Sequence, residues 1–216
     1  MSSVTKVHLL RHGEVHNPNK ILYGRLPGFH LSELGQQMAH RVARFVTGSN
    51  ITHLVSSPME RAIETATPIS QALGLEIHVD ERLIESTNVF EGKNVGVGDG
   101  VLSQPKYWRH LWNPFRPSWG EHYVDVATRM TAAISDAAQA ARGREALLVS
   151  HQLPIWIARL HAERRRLWHD PRRRQCALAS LTTFIFRGDS DVELVAVEYA
   201  EPAADLLGGA SRIAGA

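Results

Sequence analysis

Short apolar runs that stop abruptly alternate along most of this chain with stretches of helical periodicity, and that alternation limits what it can fold into. Residues 6–10, 51–56, 76–79 and 146–150 are apolar, too short for helices, and bounded by turn-forming or polar residues, so they read as strands. Between the first two, Ser32 can cap a helix in which Met38, Val42, Phe45 and Val46 share one face before Gly48 and Asn50 end it. Ser57-Pro58-Met59-Glu60 predicts a second helix start, with Ser57 as N-cap, Pro58 at the first helical position and Glu60 completing a capping box. Ala62, Ala66, Ile69 and Leu73 form its apolar stripe and Gly74 terminates it. A long helix over about 121–142 carries Tyr123, Val126, Met130, Ile134 and Ala137 at helical spacing, and a shorter one covers about 154–163. Two closing strands, 181–186 and 192–199, meet at a Gly188-Asp189 turn. The expected fold class is α/β: a three-layer sandwich with a mostly parallel central sheet and helices on both faces.

With 216 residues the chain is long enough for one full-sized domain of this class and leaves little room for a second. The reading is one domain over 1–202, a Trp/Gly-rich, lid-like insertion at about 86–119, and a flexible tail over 203–216. The insertion carries Gly92, Gly96, Gly98 and Gly100, then Tyr107, Trp108, Trp112, Phe115 and Trp119, an aromatic density that linkers lack. Either it covers the sheet edge by packing or it is a lid that sets substrate size.

A formal net charge of +2 argues against a general nucleic-acid binder. No apolar stretch approaches membrane-spanning length, so no membrane partner is expected. The N-terminus does not read as a signal peptide, and a lone cysteine, Cys176, suits a reducing compartment, so the expected location is cytoplasmic. Seven arginines, Arg159, Arg164, Arg165, Arg166, Arg172, Arg173 and Arg174, crowd one segment. They read as a solvated, ion-paired surface, or alternatively as a docking surface for an anionic tail.

Open α/β sheets bind ligands outside the carboxyl ends of their strands. Arg11-His12-Gly13 follows the first strand, Arg61 lies just inside the helix after the second, and His151 follows the run ALLVS. Two arginines and two histidines there would make a compact cationic pocket. Arginine's planar fork meets two phosphoryl oxygens at once, an imidazole can attack phosphorus, and the cations stabilise charge in transfer. Gly13 lets backbone approach a ligand closely. A leaving oxygen also needs a proton donor, and position leaves Glu14, Glu85 and Glu91 as candidates.

Taken in order, LLRHGEVHNP, SSPMERAIETA, LIESTNVFEG and LLVSHQLP resemble the histidine phosphatase superfamily, also called phosphoglycerate mutase-like, over about residues 6–200. The resemblance implies that His12 is the phosphorylated nucleophile, that Arg11, Arg61 and His151 complete the phosphate pocket, and that Glu85 is the proton donor. His12, Glu85 and His151 are thus the expected catalytic residues. Arg11, Arg61, Asn17, Arg25 and Gln152 are the expected phosphate- or substrate-binding residues, with Tyr23 beside them. The family needs no metal or cofactor. Its members are often dimers, which leaves room for a homodimer here. The chain departs from the pattern in three places. Val15 stands where Thr is usual. Pro18 stands where the motif Asn falls, with Asn17 one place earlier. Gln152 follows the second histidine in place of Gly.

These residues imply a phosphatase acting on a small phosphomonoester. Phosphoglycerate mutase-type transfer is the alternative within the same fold, though the excursion after Ser86 lacks the Arg-Arg pair and lysine arrangement that mutases use. A catalytically inactive phospho-ligand binding protein is the reading from another class.

Overall fold

Adjacent leucines in the central strands point to opposite faces, and only a sheet covered on both sides can bury them all. The computed structural model describes residues 3–94, 120–188 and 193–209. In it β1 (Val4–Arg11), β2 (Ile51–Ser56), β3 (Ile77–Val79), β4 (Glu145–Ser150), β5 (Leu181–Arg187) and β6 (Glu193–Ala200) form one mixed sheet in the order β3-β2-β4-β1-β5-β6. The first four strands are paired in parallel. β5 runs antiparallel to β1, and β6 antiparallel to β5.

Four helices cover the two faces. α3 (Tyr123–Ala140) and α4 (Gln152–Ala162) bury Val7, Leu9, Val55, Ala146 and Leu148. α1 (Glu33–Val46) and α2 (Glu60–Leu73) bury Leu10, Leu54, Leu147 and Val149. Each fully buried Leu, Ile or Met contributes about 1.5–3 kcal/mol by leaving water. Among the described residues no helix is long and apolar enough to cross a membrane.

Local signals set most helix ends. Ser32 Oγ accepts the Gly35 N–H at 3.0 Å and caps α1. Gly74 closes α2 in the left-handed conformation, φ 68°. Other expectations fail for tertiary reasons. Phe45, read as part of the apolar face of α1, is 59% exposed. Ser57 does not cap α2, which starts at Glu60 after an N-cap Met59. The Ser57 N–H still bonds the Val149 carbonyl of β4 at 2.9 Å, so the chain is held by the sheet where a helix would have to begin. Nor does Glu60 close a capping box, since its Oε1 accepts the Gly28 N–H.

The chain does not fray at 203. Ala203 is buried, Leu206 and Leu207 pack on the α1/α2 layer, and residues Ala204–Gly209 form a 3-10 turn. Residues 210–216 lie outside the described part. So do residues 95–119, which hold the aromatic cluster of the lid-like segment, and Asp189 of the expected turn.

Candidate active site

β2, β4 and β1 are neighbours and point the same way, so their carboxyl ends share one edge. His12 follows β1, Ser57 follows β2, His151 follows β4 as the N-cap of α4, and Arg61 sits in the first turn of α2. Both histidines and Arg61 are wholly buried, and Arg11 is 7% exposed. The imidazole centroids of His12 and His151 are 5.2 Å apart.

The two rings are held differently. His12 Nδ1 lies 2.8 Å from the Gly13 carbonyl oxygen, which can only accept, so Nδ1 carries the proton. Its Nε2 is therefore a lone pair, buried and without a hydrogen-bond partner. His151 Nε2 bonds the Ser57 hydroxyl at 2.8 Å, leaving Nδ1 buried and unpartnered. Burial, with Arg61 and Arg11 beside it, holds His12 well below the usual histidine range. Burial and Arg61 do the same to His151.

Arg61 donates through Nη2 to the Gly24 carbonyl at 2.7 Å, while Nε and Nη1 have no partner. Its guanidinium lies over the Tyr23 ring at 4.8 Å, and Tyr23 edges toward His12. Arg11 Nη1 donates to the Cys176 carbonyl at 2.8 Å. Glu85 is 3% exposed; its Oε1 accepts the Ser86 N–H at 2.8 Å and its Oε2 has no partner. Burial pushes its carboxyl up, against the opposing pull of the Ser86 N–H and of Arg61, Arg174 and Arg11. Buried polar groups are almost always satisfied. Here His12 Nε2, His151 Nδ1, two Arg61 nitrogens and Glu85 Oε2 are orphans together. Such a set can receive a tetrahedral oxyanion: guanidinium N–H groups bind oxygens, a lone pair faces the central atom, and a carboxylic acid supplies a proton.

The other carboxylates are engaged elsewhere. Glu14 Oε2 accepts from Ser32 Oγ, and Glu91 Oε1 from the Asn88 N–H, both on partly exposed side chains. Of the remaining expected residues, Asn17 makes local contacts, its amide bonding both backbone groups of Ile21. Arg25 donates to the Glu85 carbonyl and to Glu121 Oε2, so its contacts hold the Glu85 backbone. Gln152 joins the Cys176 carbonyl at 3.4 Å to Arg174 at 3.3 Å.

Three features of the site escaped sequence reasoning. Ser57 looked like a helix cap, and beyond a 3.4 Å contact with the Met59 N–H it bonds His151. Arg174 sat in a run of surface-type arginines, yet it lines a cavity with Glu85. The segment before β5 also clamps the motif through backbone pairs: the Ala179 N–H donates to the His12 carbonyl and the Arg11 N–H to the Ser180 carbonyl. No side-chain pattern signals backbone contacts of that kind. Among the described residues no group of three or more His, Cys, Asp or Glu side chains could hold a metal ion.

A family model for the histidine phosphatase superfamily (branch 1) matches residues 7–198. An uncharacterized protein of Mycobacterium tuberculosis is 53% identical over 204 residues, spanning 94% of this chain and all of that one. A probable phosphoglycerate mutase of Yersinia pestis is 32% identical over 187 residues, spanning 81% of this chain and 83% of that one. Among solved structures, a mycobacterial glucosyl-3-phosphoglycerate phosphatase superposes with TM-score 0.68 at 25% identity, covering 92% of this chain and 98% of that one.

Proposed function

The chain belongs to the histidine phosphatase superfamily, and we propose that within it this protein hydrolyses a small phosphomonoester through a phosphohistidine on His12. The observation that carries the reading is the state of the His12 ring. Its Nδ1–H is tied to the Gly13 carbonyl, and its Nε2 lone pair is buried beside Arg11, Arg61 and His151. In the first step Nε2 attacks phosphorus and the P–O bond to the alcohol breaks. Glu85, whose protonated form burial favours, gives its proton to the departing oxygen. In the second step water attacks phosphorus, the carboxylate of Glu85 takes the proton of that water, and the P–N bond breaks. Inorganic phosphate leaves and the lone pair returns to Nε2. Arg11 and Arg61 hold the phosphoryl oxygens throughout, where preorganised positive charge contributes most to phosphoryl transfer.

The test is hydrolysis of 4-nitrophenyl phosphate by wild type and His12→Ala, together with trapping of an acid-labile, alkali-stable phosphoenzyme. Wild type is expected to release phosphate and to carry the label, and His12→Ala to do neither. Equal rates for the two proteins would overturn the reading in favour of a phospho-ligand binding protein. The Yersinia pestis relative favours a second reading, mutase-type transfer, in which the phosphoryl group returns to another substrate hydroxyl. Conversion of 3-phosphoglycerate to 2-phosphoglycerate with little phosphate release would establish that one.

A further inference from the structure

The two imidazoles of the site are both held toward the neutral form, yet they cannot both turn a lone pair to the same oxyanion. His12 offers one at Nε2, because the Gly13 carbonyl takes the proton on Nδ1. A second lone pair aimed at that anion would repel its oxygens. Which nitrogen of a neutral histidine holds the proton is set by the hydrogen bond that the other nitrogen makes. For His151 the partner is Ser57, whose Oγ lies 2.8 Å from Nε2.

A hydroxyl can donate or accept, and the surroundings of Ser57 decide between the two. Ser57 is wholly buried, and its hydroxyl has one proton to place. Among the described residues Oγ meets the Met59 N–H at 3.4 Å and His151 Nε2. The Met59 N–H is itself a donor, so His151 Nε2 is the acceptor. If Nε2 carried a proton instead, the hydroxyl proton would be buried without an acceptor, which native structures avoid. Burial and Arg61 hold His151 well below the usual histidine range, so the ring carries a single ring proton at about pH 7. With Nε2 accepting, that proton sits on Nδ1, the buried atom left without a partner beside His12 and Arg61. The fold leaves Ser57 little freedom to do otherwise. Its N–H bonds the Val149 carbonyl of β4 at 2.9 Å and its own carbonyl accepts the Ser56 hydroxyl at 2.9 Å. β4 in turn leads directly into His151.

We propose that Ser57 is a positioning residue that holds His151 in its Nδ1–H tautomer, so that a neutral N–H donor faces the phosphoryl oxygens opposite the His12 lone pair. The two rings then divide the work without adding charge. His12 Nε2 attacks phosphorus, while His151 Nδ1–H, with the guanidinium of Arg61, binds the oxygens on which charge accumulates. The donor is in place before the substrate arrives, and no proton has to move between ring nitrogens on binding. The catalytic consequence rests on the phosphatase reading above; the tautomer itself does not.

The first test needs no substitution. In wild type isotopically labelled at the histidine nitrogens, at about pH 7, long-range nitrogen–proton correlation NMR is expected to show His151 with Nδ1 protonated and Nε2 bare. The ring is assigned through bonds from its backbone. Ser57→Ala is expected to move His151 toward the Nε2–H form and to weaken binding of inorganic phosphate, measured by calorimetry. It should also lower kcat/KM for 4-nitrophenyl phosphate. Both losses are expected to be roughly 3- to 10-fold, the scale of one neutral hydrogen bond. Ser57→Thr keeps a hydroxyl and should keep the wild-type tautomer and recover part of both losses. An Nε2–H ring in wild type overturns the proposal whatever the variants do. So does a Ser57→Ala protein that loses stability but keeps the wild-type tautomer and phosphate affinity, because Ser57 would then be purely structural. A shifted tautomer with unchanged phosphate affinity overturns the claim that this proton faces the oxygens. Absence of His12-dependent hydrolysis of every ester overturns the phosphatase reading alone, since tautomer and phosphate binding are read without turnover.

Discussion

His12 and Glu85 are driven in opposite directions by the same burial. A low-dielectric site disfavours whichever form is charged, so the imidazole loses its proton more readily and the carboxyl keeps it longer. The sign of the pH profile follows. With His12 as nucleophile and Glu85 as proton donor, activity is expected to fall on the acid side as His12 titrates at its lowered value, and on the alkaline side as Glu85 ionises at its raised value. The window between the two is wider than unperturbed groups would allow. Glu85→Gln cannot ionise and is expected to remove the alkaline limb from phosphoenzyme formation. It should slow that step by roughly 10²–10⁴-fold for alkyl phosphates and much less for 4-nitrophenyl phosphate, whose leaving group needs no proton. Rapid-quench kinetics over a leaving-group series would decide the matter, and equal slowing across the series would remove Glu85 from the donor role.

The loop after β1 and the start of α1 cross so closely that two glycines are required there. A Cβ on Gly13 would lie 2.6 Å from the Gly35 carbonyl oxygen, and one on Gly35 would overlap the Glu14 carbonyl oxygen. This crossing sets the position of the Gly13 carbonyl, and that carbonyl fixes the His12 tautomer. Gly35→Ala is therefore expected to cost about 1–3 kcal/mol in stability, as overpacking does, and to lower kcat at unchanged protein concentration. Gly208→Ala meets nothing within 4 Å and serves as the neutral control. Urea unfolding and steady-state kinetics on the two variants check both statements. Wild-type kcat in Gly35→Ala would show that the crossing does not reach the ring.

Across the molecule, burial lowers the histidines His8, His12, His53, His151 and His169 below 6.5. An unfolded chain therefore binds more protons than the folded one once pH drops below about 6.5, and stability rises with pH through that window. The contribution is fully present above the unfolded value and is lost as pH falls toward the lowered folded values. Glu85, raised from 4.5, and His30, raised from 6.5 by its hydrogen bond to Glu64, act with the opposite sign, but they are two groups against five. The urea midpoint is expected to fall on going from about pH 7 to about pH 5.5. A flat or rising midpoint over that range would mean that these rings accept protons inside the fold.

Sequence alone determined the layers and the composition of the candidate site. Strand and helix periodicity, Ser32 and Gly74 are local signals, and each was legible because a residue and its near neighbours supply the whole reason. The motif residues Arg11, His12, Arg61 and His151 were legible because they stand where strands end, and parallel strands end on one edge. Tertiary structure decided the partnerships. The partners of Ser57 and Arg174, and the separation of Glu85 from Glu14 and Glu91, depend on which atoms are buried and what lies opposite them. Ser57 Oγ accepts the Met59 N–H at the start of its own helix and also meets a ring that stands 94 positions away. Only the pairing of β2 with β4 brought that ring within reach. Periodicity is written over a few residues, but the satisfaction of a buried polar atom depends on contacts between segments that no local pattern relates.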